Sequence, residues 1–425
     1  MPRRISSLLI SSLSPLAMLL PATAMAQDLN TAIADALAHA PALAETTASE
    51  TAAKARLDRA KAEGNPLLRV EGSVGAGRID NHAFFGMTAA NTTPLAAQAT
   101  VEMPLYAGGR VASAIDQAKG GAEIARLQSE QARLQTIVQA VGAYAEVLTA
   151  RKLEDRFTQF VAELGETERQ ARLRYQTGEI PSSELAQARA RRAEAQAGLA
   201  QAEGHRTSAE AAYRRLTGKP AGDLAALPDL PKVPASLDEA LDSARNSNPA
   251  LKQARQAITI ARAGLRAAEA EGLPTVGAFA EAAHVRDQFF PDYRADSLAF
   301  GVRGRWTLWA GGRVAASTRA ASADLAASEA RLRQADEMLE GMVIDAWQGL
   351  ATARRTLDAT ILRRDAAAEA LRGIQLEAKV GQKPTLAVLD AEREAIEAEA
   401  ALLEAQAMQT IAAWQLNALT GTIPQ

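Results

Sequence analysis

The sequence predicts an α+β membrane protein, an internal tandem repeat in which long coiled-coil helices carry membrane-length strands. Three observations predict it. The block Leu105-Tyr106-Ala107-Gly108-Gly109-Arg110-Val111 returns as Leu308-Trp309-Ala310-Gly311-Gly312-Arg313-Val314, an offset of 203. Before each copy lie alternating apolar and polar runs of about 10–12 residues, the length of a tilted strand crossing a bilayer. From the second glycine of each copy, 70 residues run without a proline and end at Gly178 and Gly381.

Composition narrows the class further. The 425 residues carry 47 Lys+Arg against 50 Asp+Glu, so no basic excess points to nucleic acid. Zero cysteines exclude disulfides, thiol catalysis and Cys-ligated metals, and the four histidines have no metal-ligand spacing. Alanine makes up roughly a quarter of the chain, a composition of long, closely packed helices. No nucleophile, base and orienting group form a recognisable motif, so neither chemistry nor a cofactor is expected. Residues 1–26 have the form of a secretory signal peptide, with Arg3 and Arg4, an apolar stretch to Leu20 and a small-residue Ala24-Met25-Ala26 cleavage site. Its removal would take the net charge from −3 to about −5. No later stretch has the roughly 18 apolar residues of a membrane helix, so any return to a membrane must use strands.

Each element then follows in order. In the first repeat (27–218), a short helical stretch, Leu29–His39, stops at Pro41, which suits the first turn of a second helix running to about Glu63. A β-hairpin is expected over 66–107. Leu68, Val70, Val74 and Ala76 alternate with polar residues on one run, and Ala97, Ala99, Val101, Met103 and Leu105 on the other. A long helix, 109–177, follows, with Leu127, Leu134, Val141 and Leu148 stepping by seven as a coiled-coil seam does. A Gly-x-x-Pro turn ends it, and a return helix covers 181–216. Residues 219–236 form a linker punctuated by Pro220, Pro228, Pro231 and Pro234. The second repeat (237–425) repeats the plan with a hairpin over 274–310, a long helix over 312–380 and a return helix over 384–419. In its hairpin, Leu298, Phe300, Val302, Trp306 and Leu308 alternate clearly, whereas the strand after Pro274 rests mainly on the repeat. Upstream of Pro66 and Pro274 the offset is 208, so a loop of variable length lies inside the hairpin. The return and entering helices, stacked end to end, nearly match the long helix, which leaves the pre-proline stretch and linker for the middle of the rod.

Four strands cannot close a barrel, and open edges in lipid are not tolerated. Two chains would supply eight strands and a filled barrel, three would supply twelve and a lumen. The whole chain after residue 26 resembles the TolC-like outer membrane efflux proteins. The resemblance rests on the duplicated plan, the two Leu-aromatic-Ala-Gly-Gly-Arg-Val turns, Asn248-Pro249-Ala250-Leu251, and the Thr177-Gly178 and Val380-Gly381 tips. It implies a homotrimer with a twelve-stranded transmembrane β-barrel continued by an α-helical barrel. That assembly would lie in the outer membrane of a Gram-negative bacterium and extend into the periplasm. It further implies docking to a periplasmic adaptor joined to an inner-membrane pump or ABC exporter, for small-molecule efflux or type I secretion. Gln27 and the absence of Cys would make this the unlipidated kind. The competing expectation is a soluble periplasmic coiled-coil adaptor or scaffold.

Site residues follow from both sources. Gly178, Glu179, Ile180 and Pro181, with Gly381, Gln382, Lys383 and Pro384, form the two tips; glycine and proline suit a tight αα turn, and the resemblance makes the tips the adaptor-docking end. Asp390, nine residues past Gly381, corresponds to an acidic lumenal position near the closed end in the family, which makes it a periplasmic gate candidate; in the first half Glu184, near the corresponding position, is the alternative candidate. Ala387 occupies a second position that is acidic in the family, and Gln187 is the first-half counterpart of Asp390. The turns Gly108-Gly109-Arg110 and Gly311-Gly312-Arg313 are expected to be strand-to-helix corners and not phosphate cradles. Phe84-Phe85 and Phe289-Phe290 are expected in an aromatic girdle at the lipid–water boundary.

Overall fold

The computed structural model describes residues 26–79, 89–288 and 291–423. The expected signal peptide and the four girdle phenylalanines lie outside those residues, Ala26 excepted. Both repeats are built alike. Helix α1 (Leu29–His39) leads into α2 (Pro41–Ala62), as α5 (Leu237–Ser247) leads into α6 (Pro249–Ala270). Each second helix has its proline at the first turn, where the missing N–H costs nothing. The Asn248 side chain caps α6 by accepting from the Ala250 amide at 2.9 Å.

The strands come next: β1 (Leu67–Val74), β2 (Gly77–Ile79), β3 (Ala90–Thr92) and β4 (Leu95–Tyr106), then β5 (Thr275–Arg286) and β6 (Arg294–Arg305). The long helices α3 (Arg110–Gln176) and α7 (Arg313–Lys379) are 67 residues each, about 100 Å. The return helices α4 (Ser182–Thr217) and α8 (Thr385–Thr420) have 36 residues each. Two strand limits differ from expectation. β1 stops at Val74, and after Gly75 and Ala76 the separate β2–β3 ribbon continues the hairpin. β6 stops at Arg305, short of Leu308: its partner β5 begins opposite it at Thr275, and among the described residues no strand lies on its other side. β5, the weakest in sequence, is a full 12 residues.

The two hairpins join into one antiparallel sheet of order β1-β4-β5-β6, through β4–β5 pairs such as Val101↔Ala280. The edges β1 and β6 have no further strand among the described residues. The core sits midway along the rods. Around Tyr144 on α3 gather Leu29 and Ala32 of α1, Ala209 and Tyr213 of α4, Leu224 of the linker and Trp414 of α8. The Tyr144 hydroxyl lies 2.8 Å from the Gln27 carbonyl and 2.7 Å from that of Ala225. Arg151 holds the linker by donating to the Gly222 and Ala221 carbonyls at 2.6 and 2.7 Å. A second cluster joins α5, α6, α7 and α8 around Leu339, Val343, Leu350 and Leu416. The expected seam is real: Leu127 and Val141 are buried, and Leu134 and Leu148 are half-buried beside them.

Candidate functional site

The sheet has two chemically different faces, set by the two-residue period of the strands. The register aligns Leu68, Val101, Ala280 and Phe300 in one row, and Val70, Ala99, Ala282 and Leu298 in the next. In these rows Leu68, Val70, Phe300 and Leu298 are 65–82% exposed, although they are large and apolar. The opposite face carries Arg69, Glu71, Gln98, Thr100, Glu102, Glu281 and Arg303. Gln98 donates to Glu281 at 2.6 Å, and Arg303 lies over the Phe279 ring at 4.4 Å with Glu102 at 3.8 Å. One face suits lipid and the other suits water, as in a barrel wall around a polar lumen. Between the strands and the long helices stand Tyr106, Trp306, Leu308 and Trp309, all exposed. The aromatic in each Leu-aromatic-Ala turn was the signal for this set.

The Gly-Gly-Arg turns are strand-to-helix corners. Gly108 and Gly109 have φ of +60° and +89°, and Gly311 and Gly312 have +59° and +86°, conformations that glycine alone enters freely. Arg110 and Arg313 are the first residues of α3 and α7.

At the far end, Gly178 and Gly381 take φ of +78° and +77°, and the amides of Glu179 and Gln382 close the turns onto the Arg174 and Glu377 carbonyls. Pro181 and Pro384 sit one residue before the return helices, as N-caps. Gly178, Glu179, Pro181, Gly381, Gln382, Lys383 and Pro384 are exposed, as a docking surface requires. Ile180 is not. It is buried with Ala171, Leu185 and Ala188, plugging the α3–α4 hairpin, so it packs the tip from inside.

Asp390 is not isolated: Arg191 of α4 donates to it at 2.7 Å, joining the two repeats. Glu184 is half-buried in the first turn of α4. Farther along α8, Glu399 pairs with Arg156 of α3 at 2.7 Å. Between these bridges Glu392 keeps an enclosed Oε2 without a hydrogen-bond partner. Burial first, then nearby Glu163, push its pKa up. Glu168 of α3 was not singled out in the sequence. Its buried carboxylate accepts from Arg192 at 2.9 Å and Arg172 at 2.6 Å, with Arg189 at 3.7 Å. The Arg192 and Arg172 hydrogen bonds hold its pKa below the usual carboxylate value. Among the described residues no His, Asp or Glu group is arranged to hold a metal.

The family profile described as "Outer membrane efflux protein" matches residues 32–219 and again 240–422, once per repeat. The chain belongs to the outer membrane efflux protein family. A curated relative is the outer membrane efflux protein BepC of Brucella suis biovar 1 (strain 1330), 29% identical over 287 residues. That match covers 67% of this chain and 63% of BepC, so it spans less than two thirds of the relative's length. Among solved structures, the Campylobacter jejuni CmeC outer membrane channel superposes with a TM-score of 0.82 at 15% identity, covering 93% of this chain and 85% of CmeC. The Neisseria gonorrhoeae MtrE outer membrane channel, in its open state, gives 0.77 at 22% identity, with coverage of 92% and 88%. At these identities the structures establish the fold. As a member of the outer membrane efflux protein family, the chain is an outer-membrane protein whose helices extend into the periplasm. Residues 220–239 separate the two matched stretches.

Proposed function

We propose that three copies of this chain close a twelve-stranded barrel over an α-helical tunnel. The assembly is a passive exit duct through which an inner-membrane pump or exporter, coupled by a periplasmic adaptor, expels cargo. The observation that carries this reading is the two-faced sheet with both edges open. Lipid excludes unpaired strand edges, and four strands are too few to close. The exposed tips at Gly178 and Gly381 suit the adaptor, and exposed Leu173, Tyr175, Leu376 and Val380 beside them supply apolar contact. The exposed apolar belt argues against a soluble scaffold, which would leave it in water. Purified protein added to a planar lipid bilayer should produce discrete, ohmic conductance steps. Silence in the bilayer, with the protein extracted from cells by urea alone, would contradict the duct.

A further inference from the structure

The polar face of the sheet carries one aromatic ring among the described residues, Phe279 of β5, toward the helical end. Glycines keep the space around it open. Gly301 lies directly opposite it on β6, and Gly277, two residues before it, lies opposite Arg303. A Cβ at Gly301 would come within 3.4 Å of the ring, and one at Gly277 within 3.2 Å of the Met103 carbonyl oxygen. A cavity of about 870 Å³ lies here, within the size range of small-molecule sites. The base of β4, β5 and β6 forms its floor, and the last turns of α2 and α6 and the first residue of α3 form its sides.

Four arginines line the cavity, Arg59, Arg110, Arg303 and Arg305, against three carboxylates, Glu63, Glu102 and Glu271. Arg303 and Glu102 are 3.8 Å apart. Arg59, Arg110 and Arg305 form no ion pair among the described residues, so three free guanidinium groups stand against two free carboxylates. The Arg303 guanidinium already covers a face of the Phe279 ring, at 4.4 Å, which denies that face to a cationic ligand. Guanidinium planes stack on flat apolar bodies, and their N–H forks grip the oxygens of an acid. Leu67 and Leu273, both exposed, add apolar wall.

We infer that this cavity is a resting site for cargo inside the duct and that it takes amphipathic organic anions. A flat apolar body lies against Phe279, Leu67 and Leu273, and its acidic group sits among the free arginines. The inference rests on the duct reading above, which turns the polar face toward the lumen. Each protomer then supplies one such site where the helical tunnel opens into the barrel, on the route of everything that passes. Binding there is brief, because a conduit must release what it holds.

Planar-bilayer recording tests this with naphthalenesulfonate, a flat aromatic anion, and naphthyltrimethylammonium, its cationic counterpart. The sulfonate should interrupt wild-type currents at concentrations several-fold below those at which the cation or inorganic sulfate does so. Phe279→Ala and Arg305→Gln should each raise the sulfonate's blocking concentration several-fold without weakening any block by the cation. Arg59→Gln, on the exposed end of α2, makes the same test outside the strands should a strand variant fail to assemble. Equal block by anion and cation, or sulfonate block that survives the substitutions unchanged in channels of wild-type conductance, would overturn the inference and leave the duct standing. A wild-type protein that forms no channels would overturn both.

Discussion

Helices α3 and α7 have the same length, open on the same Gly-Gly-Arg turn and end on the same Gly-x-x-Pro tip, yet only one is wrapped by its own chain. Buried residues run along α3 from Ser113 to Ala171, whereas on α7 only Ser328, Leu339, Val343, Leu350 and Ala367 are buried. The tips differ in the same way. The first is closed by Ile180 and by the Glu168 carboxylate among its arginines. In the second, Lys383 stands at the position of Ile180 and is exposed. Duplicated segments have thus diverged according to neighbourhood: the first repeat lies against its own chain, while the second presents open faces that suit another copy. Burial within one chain therefore separates its own core from the surface that the proposed trimer would cover.

The largest effect that would sharpen this contrast lies at the mid-rod core. Tyr144→Ala should cost about 3–5 kcal/mol in lost packing, seen as a lowered urea midpoint in detergent. Trp347, its counterpart on α7, is only partly buried, and Trp347→Ala should cost the unassembled chain clearly less. Equal losses would break the comparison.

Next come the glycines that end the return helices. Gly218 and Gly421 have φ of +72° and +71°, and a Cβ would press on His39 at 2.7 Å and Ser247 at 2.5 Å. Alanine there should cost about 1–3 kcal/mol for overpacking beyond about 1–2 kcal/mol for the left-handed backbone. At Gly109, where nothing is close, only the backbone cost of about 1–2 kcal/mol should appear. Thermal shifts of the three variants measure the difference.

Ile180→Ala should loosen the first tip by about 2 kcal/mol, while Lys383→Ala should stay within about 0.5 kcal/mol. Hydrogen exchange over residues 171–188 and 374–391 would show it. Acid should act on the first tip too. Glu168 has a lowered pKa when folded, so its stabilisation is present above the unfolded carboxylate value of about 4.3 and is lost as pH falls through the folded one. Protection of this hairpin should therefore decline in acid, and Glu168→Gln should remove that part of the decline.

The smallest change in stability is expected at the bridge between repeats. Arg191→Ala should cost about 0.2–1 kcal/mol. By freeing Asp390, however, it should strengthen block by a trivalent cation in single-channel recordings. Unchanged block would contradict a gating role for Asp390.

Much of the architecture was legible because it is periodic. The seven-residue steps from Leu127 to Leu148, the alternation around Phe300 and the repeat offsets placed every long element within a few residues. The repeat even located β5, whose own alternation is poor. What stayed hidden depends on contacts distant in sequence. Nothing near Glu168 announces that Arg189 and Arg192, from the next helix, will surround it. Asp390 and Arg191 are 199 residues apart. Ile180 looks like an exposed tip residue until the return helix folds over it. The β4–β5 pairing that unites the hairpins had no local signal either.

The central claim is that the open edges of one chain are closed by two others. The most direct test is the molar mass of the detergent-extracted protein by light scattering, with negative-stain images of the same peak. The account predicts a protein mass near three chains, in hollow particles about 130 Å long, a rod of about 100 Å plus about 30 Å of membrane. A monomer or dimer released without detergent would contradict it.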